Sequence, residues 1–337
     1  MSPVNDLAGM TVLVTGASGF LGSRTVEVLS EQGCSVHALV RKTSRIDHLH
    51  LPNVTIFYGD VAESESLKSA FDGIDYVIHT AADTGGTEAG GRHVTIHGTS
   101  NILECCVSSK VKKLVYISSC SVYGVTAYKD GQLVDENMAM EHVPEQRGAY
   151  SWAKLEAEKL VARFMEQEKI PVVCLRPGTI YGPGGAVYSP MVGFSLGCRI
   201  FVIIGDGESI LPLVYIDSLV AAIILSLTNE NSNGQIYNVV DLDRVNKKRY
   251  MDKLIRRLYP RSKCFYLSYG LLYFLVMIQE RLLTALKREP VLTCYRLNAS
   301  QKPIVYDVTK IVKDLKWQPV VSFDEAVANF IDYERSH

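Results

Sequence analysis

A glycine-punctuated turn between a strand and a helix constrains this chain more than any other stretch. Residues 10–14 (MTVLV) form a short β-rich apolar run, and Thr15-Gly16-Ala17-Ser18-Gly19-Phe20-Leu21-Gly22 follows it directly. A helical pattern through Leu21, Val26, Val28 and Leu29 then runs to about Gly33. Three glycines spaced by three let the chain turn tightly, let a pyrophosphate approach the backbone, and let the helix pack close to the sheet. The diphosphate would meet the free N–H groups and positive end of that helix. Strand, turn and helix in this order are the context a glycine fingerprint needs. The stretch therefore predicts a dinucleotide site built on Gly16, Ser18, Gly19, Phe20, Leu21 and Gly22.

The strand–helix alternation continues. Residues 35–40 (SVHALV), 54–58, 76–79 (YVIH), 113–117 (KLVYI) and 172–175 (VVCL) read as further strands, with 235–240 (QIYNVV) as a late one. Helical patterns at 95–110 and around Tyr150 lie between them, so the fold class is α/β with a parallel, doubly wound sheet. Such sheets bind ligands outside the carboxyl ends of their strands. Those ends carry Asp60 and Val61, then Thr80, Ala81 and Ala82, then Ser118-Ser119-Cys120-Ser121, with the glycine-rich loop 83–93 on the substrate side. The second strand ends in Arg41-Lys42-Thr43-Ser44-Arg45 instead of an acidic residue. Cations and hydroxyls suit a 2′-phosphate, so Arg41, Lys42 and Ser44 point to NADP(H) over NAD(H). The plainer reading of the same residues is a solvated basic loop. Asp60 is placed to accept from the adenine amino group.

The chemistry falls on Tyr150-Ser151-Trp152-Ala153-Lys154. A Tyr and a Lys four residues apart share a helix face. An ammonium near a phenol favours the phenolate and lowers its pKa toward the working range, fitting Tyr150 to exchange a proton with a substrate hydroxyl or carbonyl.

The 337 residues carry a net formal charge of −1, which gives no electrostatic case for nucleic acid. Their number allows a large core plus a second lobe. We expect a nucleotide-binding domain over residues 1–180 and about 206–244, with a smaller, mostly helical substrate lobe over about 181–205 and 245–337. Eight cysteines include no CxxC pair, and most lie in apolar runs. Buried, reduced thiols in a cytoplasmic protein, with no metal and no disulfide, are expected. Residues 1–10 lack the basic-then-apolar order of a signal peptide. Residues 266–278 (YLSYGLLYFLVMI) carry no charge. Thirteen residues are too few to span a bilayer, so they read first as a buried helix of the second lobe. The alternatives are a helix on a membrane face or a wall of a greasy pocket.

TGASGFLG, Gly59-Asp60, His79-Thr80-Ala81-Ala82, Ser118-Ser119, YSWAK, Leu175-Arg176-Pro177-Gly178-Thr179-Ile180-Tyr181-Gly182-Pro183 and Gly205-Asp206-Gly207 together resemble the extended short-chain dehydrogenases/reductases. The resemblance runs almost the full chain and implies a Rossmann-type fold. It implies Tyr150 as proton donor and acceptor, Ser119 holding the substrate oxygen, and Lys154 binding the nicotinamide ribose. Pro177, Gly178 and Thr179 would complete the cofactor site, and a homodimer through two helices, one bearing the YxxxK pair, would be usual. Nucleotide-sugar epimerases and dehydratases of this kind carry a cation after the GxG turn and an Asn after the Leu-Arg pair. Here those positions read Ile210-Leu211-Pro212-Leu213-Val214 and Thr179. Residues 287–293 and 306–319 resemble the 3β-hydroxysteroid dehydrogenase-like branch, which implies sterol-like or long-chain substrates. One departure is Thr95, where the family often has Asn. The favoured reading is an NADP(H) oxidoreductase acting on a small-molecule secondary alcohol or ketone. The rivals are a nucleotide-sugar 4-epimerase or dehydratase with tightly held NAD, and a non-catalytic NADP(H) sensor.

Overall fold

The computed structural model describes residues 7–167 and 170–336. Residues 1–6, the start of the 1–10 stretch and of the first expected domain, lie outside the described residues. Seven strands build the central sheet: β1 (Thr11–Thr15), β2 (Ser35–Val40), β3 (Val54–Tyr58), β4 (Tyr76–His79), β5 (Lys113–Ile117), β6 (Val172–Pro177) and β7 (Ile236–Val239). Their spatial order is β7-β6-β5-β4-β1-β2-β3, and every pairing is parallel. A parallel sheet is covered on both faces, so its strands read as unbroken apolar runs. Along β1, Val12 and Val14 face one core cluster and Leu13 faces the other. The first cluster is closed by α1 (Phe20–Glu31) through Val26 and Leu29, the second by α2 (Gly98–Ser108) through Ile102 and Cys106. The strand order reverses where β1 neighbours β4, which opens a crevice at the carboxyl ends.

Helix α3 (Ala149–Glu166) carries Tyr150 and Lys154. Its buried side is not purely apolar: Ala153, Leu155, Ala157 and Val161 are joined by Lys154 and Glu158. Glu158 is held by Arg176 at the end of β6, whose Nε donates at 3.0 Å, and by the Ser118 hydroxyl at the end of β5. Arg176 also donates to Tyr123 Oη at 2.7 Å, and Tyr123 donates to Asn238 Oδ1 on β7 at 2.7 Å. The Leu-Arg-Pro-Gly stretch thus contributes its arginine to the frame and only its Pro-Gly to the cavity. Helix α4 (Ile216–Thr228) covers the sheet beside α1. The Trp317 indole donates to Ser218 O at 2.9 Å.

Residues 266–278 do not form a buried helix. Lys263–Leu267 is a strand in a small sheet with Ile200–Ile204 and Gly193–Leu196, and a helix, α5 (Tyr269–Ala285), follows it. Val276 is the single fully buried residue of α5. The helix packs by one edge against α6 (Cys294–Gln301), and its other apolar residues face outward. The thiols likewise divide: Cys34, Cys106, Cys120 and Cys174 are buried, Cys198 is exposed, and Cys105, Cys264 and Cys294 are partly exposed. Helix α7 (Phe323–Ser336) seats Phe323 and Phe330 in the core cluster beneath α1.

Breaking a buried ion pair from one side leaves an uncompensated charge. Arg176→Met should therefore lower unfolding stability by about 3–5 kcal/mol, measured as the shift of the urea midpoint. A change near zero would show that Glu158 does not depend on Arg176.

Candidate active site

A cavity of about 490 Å³ runs along the carboxyl ends of the strands, within the usual range for small-molecule sites. It is lined by Gly16, Ser18, Gly19, Phe20, Leu21 and Gly22 from the first turn, Arg41 and Ser44 after β2, Asp60 and Val61 after β3, and Thr80, Ala81 and Ala82 after β4. Ser119, Tyr150, Lys154, Pro177 and Gly178 complete its far end. Two residues expected there stand elsewhere. Lys42 lies in an exposed turn and does not line the cavity. The Thr179 hydroxyl is turned onto Met191 Sδ at 3.3 Å while its N–H donates to Pro212 O at 2.6 Å, and Ile180 reaches the cavity instead. Asp83 and Thr84, from the loop read as substrate-side, also line it.

The turn is shaped as a nucleotide cradle. Gly16 has φ +67°, and a Cβ there would lie 2.9 Å from the backbone of Ala81. A Cβ on Gly22 would lie 2.1 Å from Gly16 O. Helix α1 begins after extended Gly19 with no side-chain cap and no acidic residue in its first turn. An uncapped helix start beside a close-approach glycine turn fits the pyrophosphate of a dinucleotide. Asp60 Oδ1 accepts from Ala62 N at 2.9 Å, which fixes its carboxylate at the rim.

Ser119 and Tyr150 line the same end of the cavity, and Ser119 Oγ accepts from Ser121 N at 3.1 Å. Burial raises the Tyr150 phenol above its ordinary value, and Ser119 pulls it back. The Lys154 ammonium donates to Ile117 O at 2.7 Å and lies 5.2 Å above the Tyr116 ring. Burial depresses Lys154 itself to about 8.

His79, the strand end that opens the His79-Thr80-Ala81-Ala82 motif, lies beneath the cavity floor without lining it. Its ring is fully buried, and burial first, then the Lys154 charge, hold its pKa at about 3. Nδ1 lies 2.7 Å from Thr15 Oγ1 and Nε2 lies 3.1 Å from Thr99 Oγ1. Thr99 gives its own proton to Thr95 O at 2.6 Å, so it accepts from Nε2, and Nδ1 accepts from Thr15. Thr95 Oγ1 in turn accepts from Asp83 N at 2.9 Å. The residue where the family often has Asn is thus a fixed acceptor beneath the substrate loop. No sequence spacing announces this chain of hydroxyls, because it crosses from β1 to β4 to α2.

Fold and cavity together define an α/β protein built to hold a dinucleotide at the carboxyl ends of its sheet. Residues 12–239 match the NAD dependent epimerase/dehydratase family, and the chain belongs to it. It is an NAD(P)-dependent enzyme of the extended short-chain dehydrogenase/reductase type. It is similar to 2-alkyl-3-oxoalkanoate reductase of Stenotrophomonas maltophilia, 27% identical over 94% of this chain and 97% of the relative. It is also similar to 3beta-hydroxysteroid-dehydrogenase/decarboxylase isoform 2 of Arabidopsis thaliana, 25% identical over 98% of this chain and 63% of the relative. Among solved structures, gox2253 superposes with a TM-score of 0.82 at 26% identity, covering 97% of this chain and 98% of that one. The suspected family, the 3β-hydroxysteroid dehydrogenase-like likeness and the fold class all hold.

The Lys154 value makes a stability prediction with a definite sign. Below pH 8 the lysine is charged in both folded and unfolded chains, and the burial penalty is fully present. Between about 8 and the ordinary 10.5 the folded chain releases its proton first, so the penalty fades. Lys154→Met should be inactive yet more stable than the parent at pH 7, by about 2 kcal/mol after the lost Ile117 hydrogen bond is deducted. The gap should close between pH 8 and 10.5 in denaturation midpoints; a gap independent of pH would refute the assignment.

Proposed function

We propose that the chain is an NADP(H)-preferring oxidoreductase that interconverts a secondary alcohol and a ketone on an apolar, sterol-like or long-chain substrate. The observation that carries this reading is that Ser119, Tyr150 and Lys154 come together at one end of the nucleotide cavity. When bound, the nicotinamide supplies or takes the hydride. Tyr150 gives or takes the proton at the substrate oxygen, and Ser119 holds that oxygen beside the phenol. Lys154, fixed by Ile117 O, holds the ribose and keeps a positive charge at the floor. Arg41 and Ser44 take a 2′-phosphate at the end of β2. The substrate lobe, residues 181–205 and 245–337, sets the chain length accepted.

The apolar substrate class is supported by the stretch after the GxG turn. Leu211 and Leu213 are buried core residues, and no cation stands there to hold a diphosphate. A resemblance to a relative that reduces a 2-alkyl-3-oxoalkanoate, as its name states, points the same way. The competing reading, a nucleotide-sugar 4-epimerase or dehydratase, would retain NAD through its cycle. Tyr150→Phe should reduce turnover at least about 10²-fold with NADPH binding preserved. Arg41→Ala should weaken NADPH about tenfold or more and leave NADH nearly unchanged, read by fluorescence titration. Co-purified, tightly bound NAD would overturn the cofactor assignment and favour the epimerase.

We also propose a cytoplasmic enzyme docked on an anionic membrane face through α5, and paired as a homodimer through α2 and α3. Leu271, Phe274, Leu275, Ile278 and Leu282 recur at one-turn steps along α5, with Leu286 just past its end, and each is exposed. Glu280 and Arg281 are the only charges within that helix, while Lys287 and Arg288 follow it. An outward apolar stripe with cations at its end suits a helix lying in the headgroup region. No helix among the described residues is long and apolar enough to cross a membrane. Replacing Phe274 and Leu275 by Glu should abolish co-sedimentation with phosphatidylglycerol vesicles. Equal sedimentation of parent and variant would assign the stripe to another partner.

A further inference from the structure

A second cavity, of about 720 Å³, shares no lining residue with the nucleotide cavity. Its volume falls in the usual range for small-molecule sites. It is walled by the turn after Ile204, by the residues that open α5 and by the end of α6. The hydride and proton steps make no use of it. Its walls carry Lys247, Lys302, Asp130, Asp206, Asn298 and Gln301, a lining too polar for the tail of an apolar substrate.

The charges on these walls are not all matched to each other. Lys302 and Asp130 form an ion pair at 2.7 Å. Lys247 and Asp206 do not pair. Lys247 is 3% exposed, and its ammonium donates to Ile204 O at 2.8 Å and to Gln301 Oε1 at 2.6 Å. Both acceptors are neutral. An ammonium has three donors, so one is left without a partner among the described residues. Burial depresses Lys247 to about 8, and the Asp206 charge pulls it back up. Asp206 stands at an exposed turn, where its Oδ1 accepts only from Glu208 N at 2.9 Å. The same cavity receives the start of α5 at Ser268 and Tyr269. That helix runs for 17 residues with no side-chain cap and no acidic residue in its first turn, so its first N–H groups are free for an anion.

We infer that this cavity binds a phosphoethanolamine group, its phosphate on Lys247 and the first turn of α5 and its ammonium on Asp206. A buried cation held only by neutral acceptors gains most from an anionic oxygen, and an unpaired carboxylate on the same cavity gains most from a cation. A ligand carrying one charge alone would satisfy one wall and repel the other. A zwitterion satisfies both. The inference deepens the membrane reading above, on which the lipid source of the group rests: α5 starts at this cavity and carries the exposed stripe, so a helix lying among headgroups would hold the cavity at their level.

The test uses the full chain with glycerophosphoethanolamine in solution, and with phosphatidylglycerol vesicles prepared with and without phosphatidylethanolamine. The soluble headgroup should bind in calorimetry, and Asp206→Asn and Lys247→Gln should each weaken it about tenfold or more. Inorganic phosphate, which lacks the ammonium, should bind the parent about tenfold more weakly and lose nothing in Asp206→Asn. The urea midpoint reports folding; Asp206 lies on an exposed turn, so its variant decides the matter even where Lys247→Gln does not fold. No binding of glycerophosphoethanolamine by the parent at about 10 mM, or an unchanged affinity in Asp206→Asn, overturns the site. Binding in solution without any gain in sedimentation from phosphatidylethanolamine keeps the site and assigns it to the free headgroup, so the site and the membrane reading can fail separately.

Discussion

The buried pair of Arg176 and Glu158 is the constraint on which the catalytic geometry depends. Glu158 lies one turn beyond Lys154 on the same helix face, and Arg176 stands at the end of the strand that brings Pro177 and Gly178 to the cavity. A pair of this kind rarely adds stability over apolar packing, because desolvation offsets the attraction. What it contributes here is register. An apolar α3 could slide or rotate against the sheet at small cost, but Glu158 has one place where its charge is met. With Glu158 fixed, Lys154 must fall beneath Ile117 O and Tyr150 beside Ser119.

The same logic explains the arrangement of the floor. Lys154 is a buried cation, and a second cation below it would be intolerable. His79 sits there and is kept neutral by burial and by Lys154, with both ring nitrogens spoken for by threonine hydroxyls. The threonine chain turns a titratable residue into a rigid polar spacer. It also ties β1, β4 and α2 together where the sheet order reverses, which is the crevice the nucleotide enters.

Much of this was legible in the sequence, and the reason differs from part to part. The strands β2 to β5 could be bounded residue by residue because they are short, mostly apolar runs closed by polar residues or glycine. The glycine turn was legible because Gly16 and Gly22 are places where any side chain would collide with backbone. Residues 266–278 were misread because hydropathy reports that a segment is apolar but not what lies opposite it. The short strand Ile200–Ile204 sits between Gly193–Leu196 and Lys263–Leu267, and the second of these partners is some sixty positions away. His79 stood in a motif, but its clamp did not show, because the two hydroxyls that hold its ring come from Thr15 and Thr99, distant in the chain.

The electrostatics of the centre follow from where Lys154 is anchored. The ammonium is given to a main-chain carbonyl, while burial raises the Tyr150 phenol and Ser119 pulls it back. In the oxidoreductase proposed above, a neutral phenol beside a serine hydroxyl would be an acid ready for a ketone oxygen, the group that becomes negative as hydride arrives.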